Sequence, residues 1–239
     1  MKVTVGLTPA EQVAAPIGIV IDVLRATSVI CQALVGGYES ITCVGEVEDA
    51  RALAGPGVAL AGERHNVRIE GFDYGNSPRE FAEPHPTTKL VLTTTNGTRA
   101  LLAAAERCET VLVASLLNLR AVTDAARGVA DVAIFCAGVE GTFAIDDAYV
   151  AGRIVAELGG EPDDAAVAVA KLTSAFANAE EGIGGGISAA NIRNAQLDAD
   201  IPWCARESVV DVVPRVIERA ARSVVIAPVM NLDRIGDST

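Results

Sequence analysis

The sequence has few basic residues, few aromatics and no long apolar run. Its 239 residues contain 19 Lys and Arg against 31 Asp and Glu, a net charge of −12, and only 4% are aromatic. Because binding to a nucleic-acid backbone or an anionic lipid surface depends on basic side chains, we expect neither partner. No apolar run approaches the roughly 18–20 residues that span a bilayer. The first twelve residues lack the long apolar segment of a secretory signal, so we expect a cytoplasmic protein.

Several common site motifs are also missing. The five cysteines are odd in number and form no Cys-x-x-Cys pair, and there are two histidines. This pattern argues against a disulfide framework and a zinc knuckle. A P-loop, a Gly-x-Ser-x-Gly nucleophile elbow and the Cys-x₅-Arg arrangement of cysteine phosphatases do not occur, which excludes three well-known site types.

The pattern of apolar residues predicts an α/β fold. At about 150 residues per domain, the length fits one domain or two closely packed lobes, and we treat 1–239 as a single unit. Apolar runs predict strands at 17–24, 40–44, 58–61, 90–95, 110–114, 131–136 and 223–227. Ala- and Leu-rich stretches predict helices at 27–35, 46–54, 98–108, 119–126, 146–158, 163–179 and 209–221. Such alternation is typical of three α/β/α layers around a mostly parallel or mixed sheet. Residues 231–239 are expected to be loosely ordered.

Ligands of such sheets bind beyond the carboxyl ends of the strands, and polar residues do follow Leu24, Thr95 and Cys136. After the first of these strands, Asp22 and Arg25 precede Thr27 and Ser28 at a predicted helix start. Free N–H groups there, together with the Arg25 fork, suit a phosphate or sulfonate. Alternatively, one hydroxyl is only an N-cap and Asp22 and Arg25 form a buried ion pair.

A second polar segment, 93–99, has the sequence TTTNGTR. Asn96-Gly97 permits positive φ, so successive N–H groups can point towards an anion, and the threonines supply further donors. The alternative is ordinary turn and capping chemistry.

Two further segments carry carboxylates. Asp146 and Asp147 follow the third strand near a helix start, where they could bind Mg²⁺ or could be solvated charges that complement the helix dipole. The loop 62–78 contains three glycines and many polar side chains. Long loops of this kind are often functional, although a plain surface loop is the alternative.

Together these segments resemble a known family. IDVLRATS at 21–28, GER at 62–64, GFDYGNSP at 71–78, TTTNGT at 93–98 and CAG at 136–138 resemble the ComB-type 2-phosphosulfolactate phosphatases. The resemblance implies a ComB-like α/β fold and Mg²⁺-dependent hydrolysis of 2-phosphosulfolactate to sulfolactate and phosphate, a step of coenzyme M biosynthesis in methanogens. The family usually has Glu-Asp where this chain has Asp146-Asp147, which puts Asp146 in doubt as a metal ligand.

On this hypothesis we assign roles to residues. The catalytic candidates are Asp22, Arg25, Asn96 and Asp147, with Asp22 or Asp147 as general base or nucleophile. The substrate-binding candidates are Arg25, Thr27, Ser28, Arg64, Asn76, Ser77, Thr95, Asn96, Gly97 and Thr98. The Mg²⁺ candidates are Asp22, Glu63, Asp73 and Asp147.

Two other functions stay open at this point. One is hydrolysis of a different small phosphorylated acid, and the other is a non-catalytic anion-binding protein of the same fold. The expected partner is a small anionic phosphoester, and a homodimer is a further expectation, because two-fold dimers are the commonest oligomers.

Overall fold

A computed structural model describes residues 1–229, and its elements alternate as the sequence predicts. The strands are β1 Lys2–Gly6, β2 Ile17–Ile21, β3 Ser40–Val44, β4 Val58–Arg64, β5 Val67–Arg68, β6 Lys89–Thr93, β7 Thr110–Ala114, β8 Val132–Cys136, β9 Glu161–Pro162, β10 Pro214–Ala220 and β11 Ser223–Pro228. The helices are α1 Ala26–Val35, α2 Val47–Ala52, α3 Gly97–Arg107, α4 Leu119–Ala126, α5 Ile145–Leu158, α6 Asp164–Thr173, α7 Ala179–Gly184, α8 Ile187–Asn194 and α9 Asp200–Cys204. A short 3₁₀ helix spans Pro78–Phe81.

The strands form one mixed sheet in the order β5-β4-β6-β3-β11-β10-β7-β2-β8-β1-β9. One parallel block contains β4, β6 and β3, and another contains β7, β2, β8, β1 and β9. The antiparallel hairpin β10–β11 lies between the two blocks and pairs with β7 on one side and β3 on the other. A C-terminal hairpin therefore joins the two blocks into a single sheet.

Helices cover both faces of the sheet, which confirms the three-layer α/β fold. Successive residues of β2 alternate between faces: Ile19 and Ile21 pack in one core with α4, α5 and α6, and Val20 packs in another with α1 and α3. All five residues of β2 are buried. Burial on both faces explains why this central strand reads as a continuous apolar run.

Three predictions about elements are corrected. The predicted helix 163–179 ends at Thr173, and a separate helix, α7, begins at Ala179. The predicted helix 209–221 is instead the strand β10, Pro214–Ala220. Proline interrupts a helix, and the many Val and Ile residues in this segment favour strands. The first strand, β1, was not predicted, although Val3 and Val5 alternate with polar residues and are buried. Residues 231–239, predicted to be loosely ordered, lie outside the described part of the chain.

Within residues 1–229, no helix is both long enough and apolar enough to cross a membrane.

Candidate active site

The carboxyl ends of β2, β4, β6 and β8 meet around a cavity of about 390 Å³. Three of its lining residues, Asp22, Asp146 and Asp147, are aspartates that are at most 7% exposed. We call this space the acidic cavity. Strands β2 and β8 are neighbours, whereas β6 lies in the other parallel block. Helix α3 reaches across the hairpin and packs on β2, β3 and β11, which brings the turn after β6 to Asp22.

Asp22 follows β2 and is held by the first turn of α1. Its Oδ1 accepts a hydrogen bond from the Ala26 N–H at 3.2 Å. The Thr27 hydroxyl donates to the Asp22 carbonyl oxygen at 2.9 Å, and the Ser28 hydroxyl donates to the Val23 carbonyl at 2.8 Å. The N-cap alternative for Thr27 and Ser28 is therefore wrong, because neither hydroxyl bonds a free N–H of the helix. Both instead lock the strand end to the helix start.

Asp146 and Asp147 are both 2% exposed, so the alternative interpretation, that they are solvated surface charges, is wrong. The two oxygens of Asp147 accept from the Val23 N–H at 3.0 Å and the Gly138 N–H at 2.9 Å. Oδ1 of Asp146 accepts from the Ser188 hydroxyl at 3.0 Å. Asp147 thus joins β2 to the turn after β8, and Asp146 joins α5 to α8.

Burial and mutual repulsion favour the neutral forms of these acids. Burial raises the pKa of Asp22 to about 6, and the charge of Glu63 adds to the rise. Burial also raises the pKa of Asp146 to about 7, with repulsion from Asp22 as a smaller cause. The pKa of Asp147 lies well above its ordinary value because of burial, and then because of the charges of Asp146 and Asp22. Carboxyl groups that share a desolvated site behave in this way, and a cation would relieve the repulsion.

Glu63, at the end of β4, organises the opposite wall. Its Oε1 accepts from the Thr95 N–H at 2.8 Å, and its Oε2 accepts from the Thr95 hydroxyl at 3.2 Å and the Asn66 N–H at 2.8 Å. Three donors on one buried carboxylate fix the turn after β6 against the β4–β5 hairpin. Glu63 therefore positions Thr95 and Asn66 at the cavity.

The turn before α3 has an internal hydrogen-bonded frame. Thr94 N–H donates to the Thr98 hydroxyl oxygen at 3.3 Å, and Thr98 N–H donates to the Thr94 hydroxyl oxygen at 3.2 Å. A Cβ on Gly97 would lie 2.6 Å from Asp22 Oδ2 and 2.5 Å from the Ala26 Cβ. Gly97 is thus required for the close approach of α3 to α1. The positive end of the α3 dipole faces the Asp22 carboxylate as a result.

Arg25 is 2% exposed and lines the acidic cavity. Its Nη1 donates to Asp200 Oδ2 at 2.7 Å, and its Nη2 donates to Asn66 Oδ1 at 3.2 Å. The Ser77 hydroxyl donates to the other oxygen of Asp200 at 2.6 Å. Arg25 does form a buried ion pair, as one alternative predicted. Its partner, however, is Asp200 and not Asp22.

The acidic cavity brings together part of the predicted site. The predicted residues that line it are Asp22, Arg25, Glu63, Asn76, Thr95, Asn96 and Asp147. The predicted residues that do not line it are Thr27, Ser28, Arg64, Asp73, Ser77, Gly97 and Thr98. Of these, Gly97 still packs beside Asp22, and Ser77 reaches the site only through Asp200.

The structure turns Arg64 and Asp73 away from the acidic cavity. The Arg64 guanidinium donates to the carbonyl oxygens of Glu63 and Gly45 and to the Thr93 hydroxyl. The Asp73 carboxylate accepts from the Leu60 N–H at 2.8 Å. Both side chains complete the backbone of their own region. The prediction that Arg64 binds the substrate is therefore wrong, and so is the prediction that Asp73 binds Mg²⁺.

A comparison with protein families adds to the geometry. The model of the family described as 2-phosphosulpholactate phosphatase matches residues 3–219. The chain belongs to this family. It is accordingly an enzyme of the phosphoric monoester hydrolase class.

Curated relatives agree along most of the chain. A probable 2-phosphosulfolactate phosphatase of Thermus thermophilus is 36% identical over 222 residues, which cover 90% of this chain and 94% of the relative. A protein of Thermotoga maritima with the same name is 35% identical over 218 residues, covering 90% and 95%. A third, from Symbiobacterium thermophilum, is 42% identical over 165 residues, covering 66% and 70%.

The chemistry of the donors suits Mg²⁺ bound with few protein ligands. Among the described residues, no group of three or more His, Cys, Asp and Glu side chains could hold a metal ion. The predicted set of Asp22, Glu63, Asp73 and Asp147 is therefore not assembled as a cage. Mg²⁺, however, is often bound by one or two carboxylates and completed by waters and substrate phosphate. Asp146 and Asp147, which line the cavity and whose charges repel each other when buried, fit such an arrangement.

Several residues at the cavity were not predicted as site residues. Asn66, Ser188, Asn191 and Asn194 line it, and Asp200 holds Arg25 from behind. Asp200 follows the polar segment 191–197 and not an apolar strand, so its position in the sequence did not predict the contact with Arg25. Asn66 sits in the hairpin turn between β4 and β5 with φ of 64°. Because Asn is common in turns of any protein, its presence here did not predict the hydrogen bond from Arg25.

Proposed function

We propose that the enzyme hydrolyses 2-phosphosulfolactate to sulfolactate and phosphate with Mg²⁺ as cofactor, in a reaction of the coenzyme M biosynthesis type. The observation that carries the proposal is the acidic cavity itself. Buried carboxylates line it together with Arg25 and Asn96. Family membership and the names of the relatives support the substrate.

The substrate carries a phosphate, a sulfonate and a carboxylate, about four negative charges. A chain with a net charge of −12 attracts it only through local positive groups. Arg25 supplies a permanent charge, and only two of its five N–H donors have acceptors, Asp200 and Asn66. The remaining donors are available to oxygens of the substrate. Asn96, in the turn before α3, adds amide donors at the cavity wall.

Asp146 and Asp147 would hold Mg²⁺, which, when bound, supplies positive charge for the phosphoryl oxygens. Asp147 is fixed by the Val23 and Gly138 N–H groups, and Asp146 is fixed by Ser188. The two carboxylates therefore need little rearrangement to act as ligands. Asp73, which the sequence also suggested as a ligand, bonds the backbone of β4 and takes no part.

Asp22 is the side chain best suited to receive a proton or to attack phosphorus. Only its Oδ1 has a hydrogen-bond donor, the Ala26 N–H, whereas both oxygens of Asp147 have one. A carboxylate with a pKa of about 6 is mostly ionised at neutral pH and is still basic enough to accept a proton from water. Borohydride trapping during a single turnover separates the two roles. Attack by Asp22 on phosphorus forms an acyl phosphate, whose carbonyl carbon borohydride reduces to an alcohol, whereas direct attack by water leaves the Asp22 carboxylate unmodified.

The activity test is release of inorganic phosphate from 2-phosphosulfolactate by the purified chain, with Mg²⁺ and with EDTA. The proposal requires turnover that EDTA abolishes and added Mg²⁺ restores. Asp146→Asn should raise the Mg²⁺ concentration needed for half-maximal activity, and Asp73→Asn should not. A panel with phospholactate and phosphoglycolate tests the substrate. If either compound is hydrolysed faster than 2-phosphosulfolactate, the proposed substrate is wrong, but the enzyme remains a phosphatase.

A further inference from the structure

A second cavity, of about 490 Å³, adjoins the acidic cavity. Arg25, Asn66 and Asn76 line both spaces and therefore form the wall between them. The second space is also lined by Arg68 and Arg79, and we call it the outer cavity. The proposed function does not use Arg68 or Arg79.

The outer cavity is positively charged, in contrast to the rest of the chain. Three arginines line it, and the one carboxylate among its lining residues is Glu80. That carboxylate accepts hydrogen bonds from the N–H groups of Gly75 and Ser77, so it is occupied as a cap of the 3₁₀ helix. Within residues 1–229, neither Arg68 nor Arg79 forms an ion pair. Arginine forks arranged in this way match the oxygens of a phosphate or sulfonate.

The wall between the cavities contains two buried polar atoms that lack partners. Arg25 Nε has no acceptor, and Asn76 Oδ1 has no donor, within the described part of the chain. Leaving such groups unpaired is costly, and it points to a ligand that supplies both an acceptor and a donor. Hydrogen phosphate has both, since its oxygens accept and its single hydroxyl donates. Sulfate at neutral pH has acceptors only.

We propose that the outer cavity is a second anion site that takes a tetrahedral oxyanion beside the acidic cavity. Its ligand is hydrogen phosphate, the product of a phosphatase, or the far anionic end of a substrate that spans the Arg25 wall. Binding of the far end of the substrate rests on the proposed function, whereas binding of hydrogen phosphate requires only that the enzyme is a phosphatase.

Calorimetric titration of inorganic phosphate into the full-length, Mg²⁺-free protein tests the site without turnover. We expect binding, weaker binding of sulfate, and a phosphate Kd that rises about tenfold or more in the double variant Arg68→Gln/Arg79→Gln, through loss of charge-assisted hydrogen bonds. The matched control is the double variant Arg127→Gln/Arg222→Gln, which also removes two exposed positive charges, but from the ion pairs with Asp124 and Asp49. An unchanged phosphate Kd in the double variant, together with unchanged kinetics in the assays below, overturns the proposal.

Steady-state kinetics of the same variants distinguish the two ligands. If free phosphate binds, the inhibition constant for phosphate rises and the KM for 2-phosphosulfolactate does not. If the substrate spans the wall, the KM for 2-phosphosulfolactate rises, whereas that for p-nitrophenyl phosphate, which has no second acid, stays constant. Failure of 2-phosphosulfolactate as a substrate would refute the proposed function alone, because phosphate titration still decides the site. Arg68 and Arg79 are exposed, so the variants should keep the wild-type melting temperature.

Discussion

Arg25 and Asp200 form an ion pair of 2.7 Å in which both side chains are 1% exposed, although the residues are 175 positions apart. The pair ties the start of α1 to the start of α9. Ser77 donates to the second oxygen of Asp200 at 2.6 Å and adds the 3₁₀ helix to the same contact. One buried carboxylate thus fixes the guanidinium that forms the wall of the acidic cavity.

Asp200→Ala should therefore destabilise the protein strongly. Removal of one partner leaves a buried charge unpaired, which costs roughly 3–5 kcal/mol of unfolding free energy. Asp200→Asn keeps an acceptor for Arg25 and should cost less, and Ser77→Ala should cost about 1 kcal/mol. Urea denaturation of the three variants measures this order. Equal stability of Asp200→Ala and the wild type would show that Arg25 finds another partner.

Asp22→Asn should lower kcat by about 10²–10⁴, the range for loss of a general base. The fold should persist, because an amide oxygen can still accept from the Ala26 N–H. Asp73→Asn is the matched control, since it makes the same chemical change where the carboxylate bonds the Leu60 N–H. Phosphate release measures both variants. If Asp73→Asn lost as much activity as Asp22→Asn, the assignment of the site to the acidic cavity would be wrong.

The sequence predicted the layers and most strands because burial on both faces gives continuous apolar runs, as in β2. It also predicted that polar residues after β2, β6 and β8 meet at one edge. It did not predict the hairpin β10–β11 between the parallel blocks, because strand order depends on pairing between distant segments. For the same reason, Asp200 was missed as the partner of Arg25. The hydroxyls of Thr27 and Ser28 look like anion donors in sequence, but they satisfy local carbonyl groups.

The raised pKa of Asp22 predicts a pH dependence of stability. This pKa is about 6 in the folded protein, against 3.8 for an ordinary exposed aspartate. Between these values the folded chain binds the proton more tightly than the unfolded chain. The stabilisation is thus complete below about pH 4 and is lost as the pH rises through about 6. Because all other carboxyl groups also titrate, only the difference between wild type and variant is diagnostic.

Asp22→Asn removes this titration. Relative to the wild type, the variant should gain roughly 2 kcal/mol of unfolding free energy between pH 4 and pH 8 in EDTA, since the pKa rises from 3.8 to about 6 on folding. Denaturation curves at four pH values in that range give the difference. A constant difference across the range would mean that Asp22 has the same pKa in both states.

Gly97→Ala should push α1 and α3 apart at the acidic cavity. The new methyl group would lie 2.5 Å from the Ala26 Cβ and 2.6 Å from Asp22 Oδ2, both too close without movement. Overpacking of this kind costs roughly 1–3 kcal/mol, and displacement of Asp22 should lower kcat as well. Gly55→Ala is the control, since a Cβ there meets no atom within 4 Å.

The double variant Gly97→Ala/Ala26→Gly identifies the contact responsible. It removes the methyl group of residue 26 and leaves the clash with Asp22. Its unfolding free energy should therefore exceed the value expected from adding the two single effects, although Gly in a helix costs about 1 kcal/mol by itself. If the double variant recovers stability but keeps a low kcat, the contact of the new methyl group with Asp22 lowers the activity, and the spacing of α1 and α3 does not. Strict additivity would instead show that the two helices move apart without strain at residue 26.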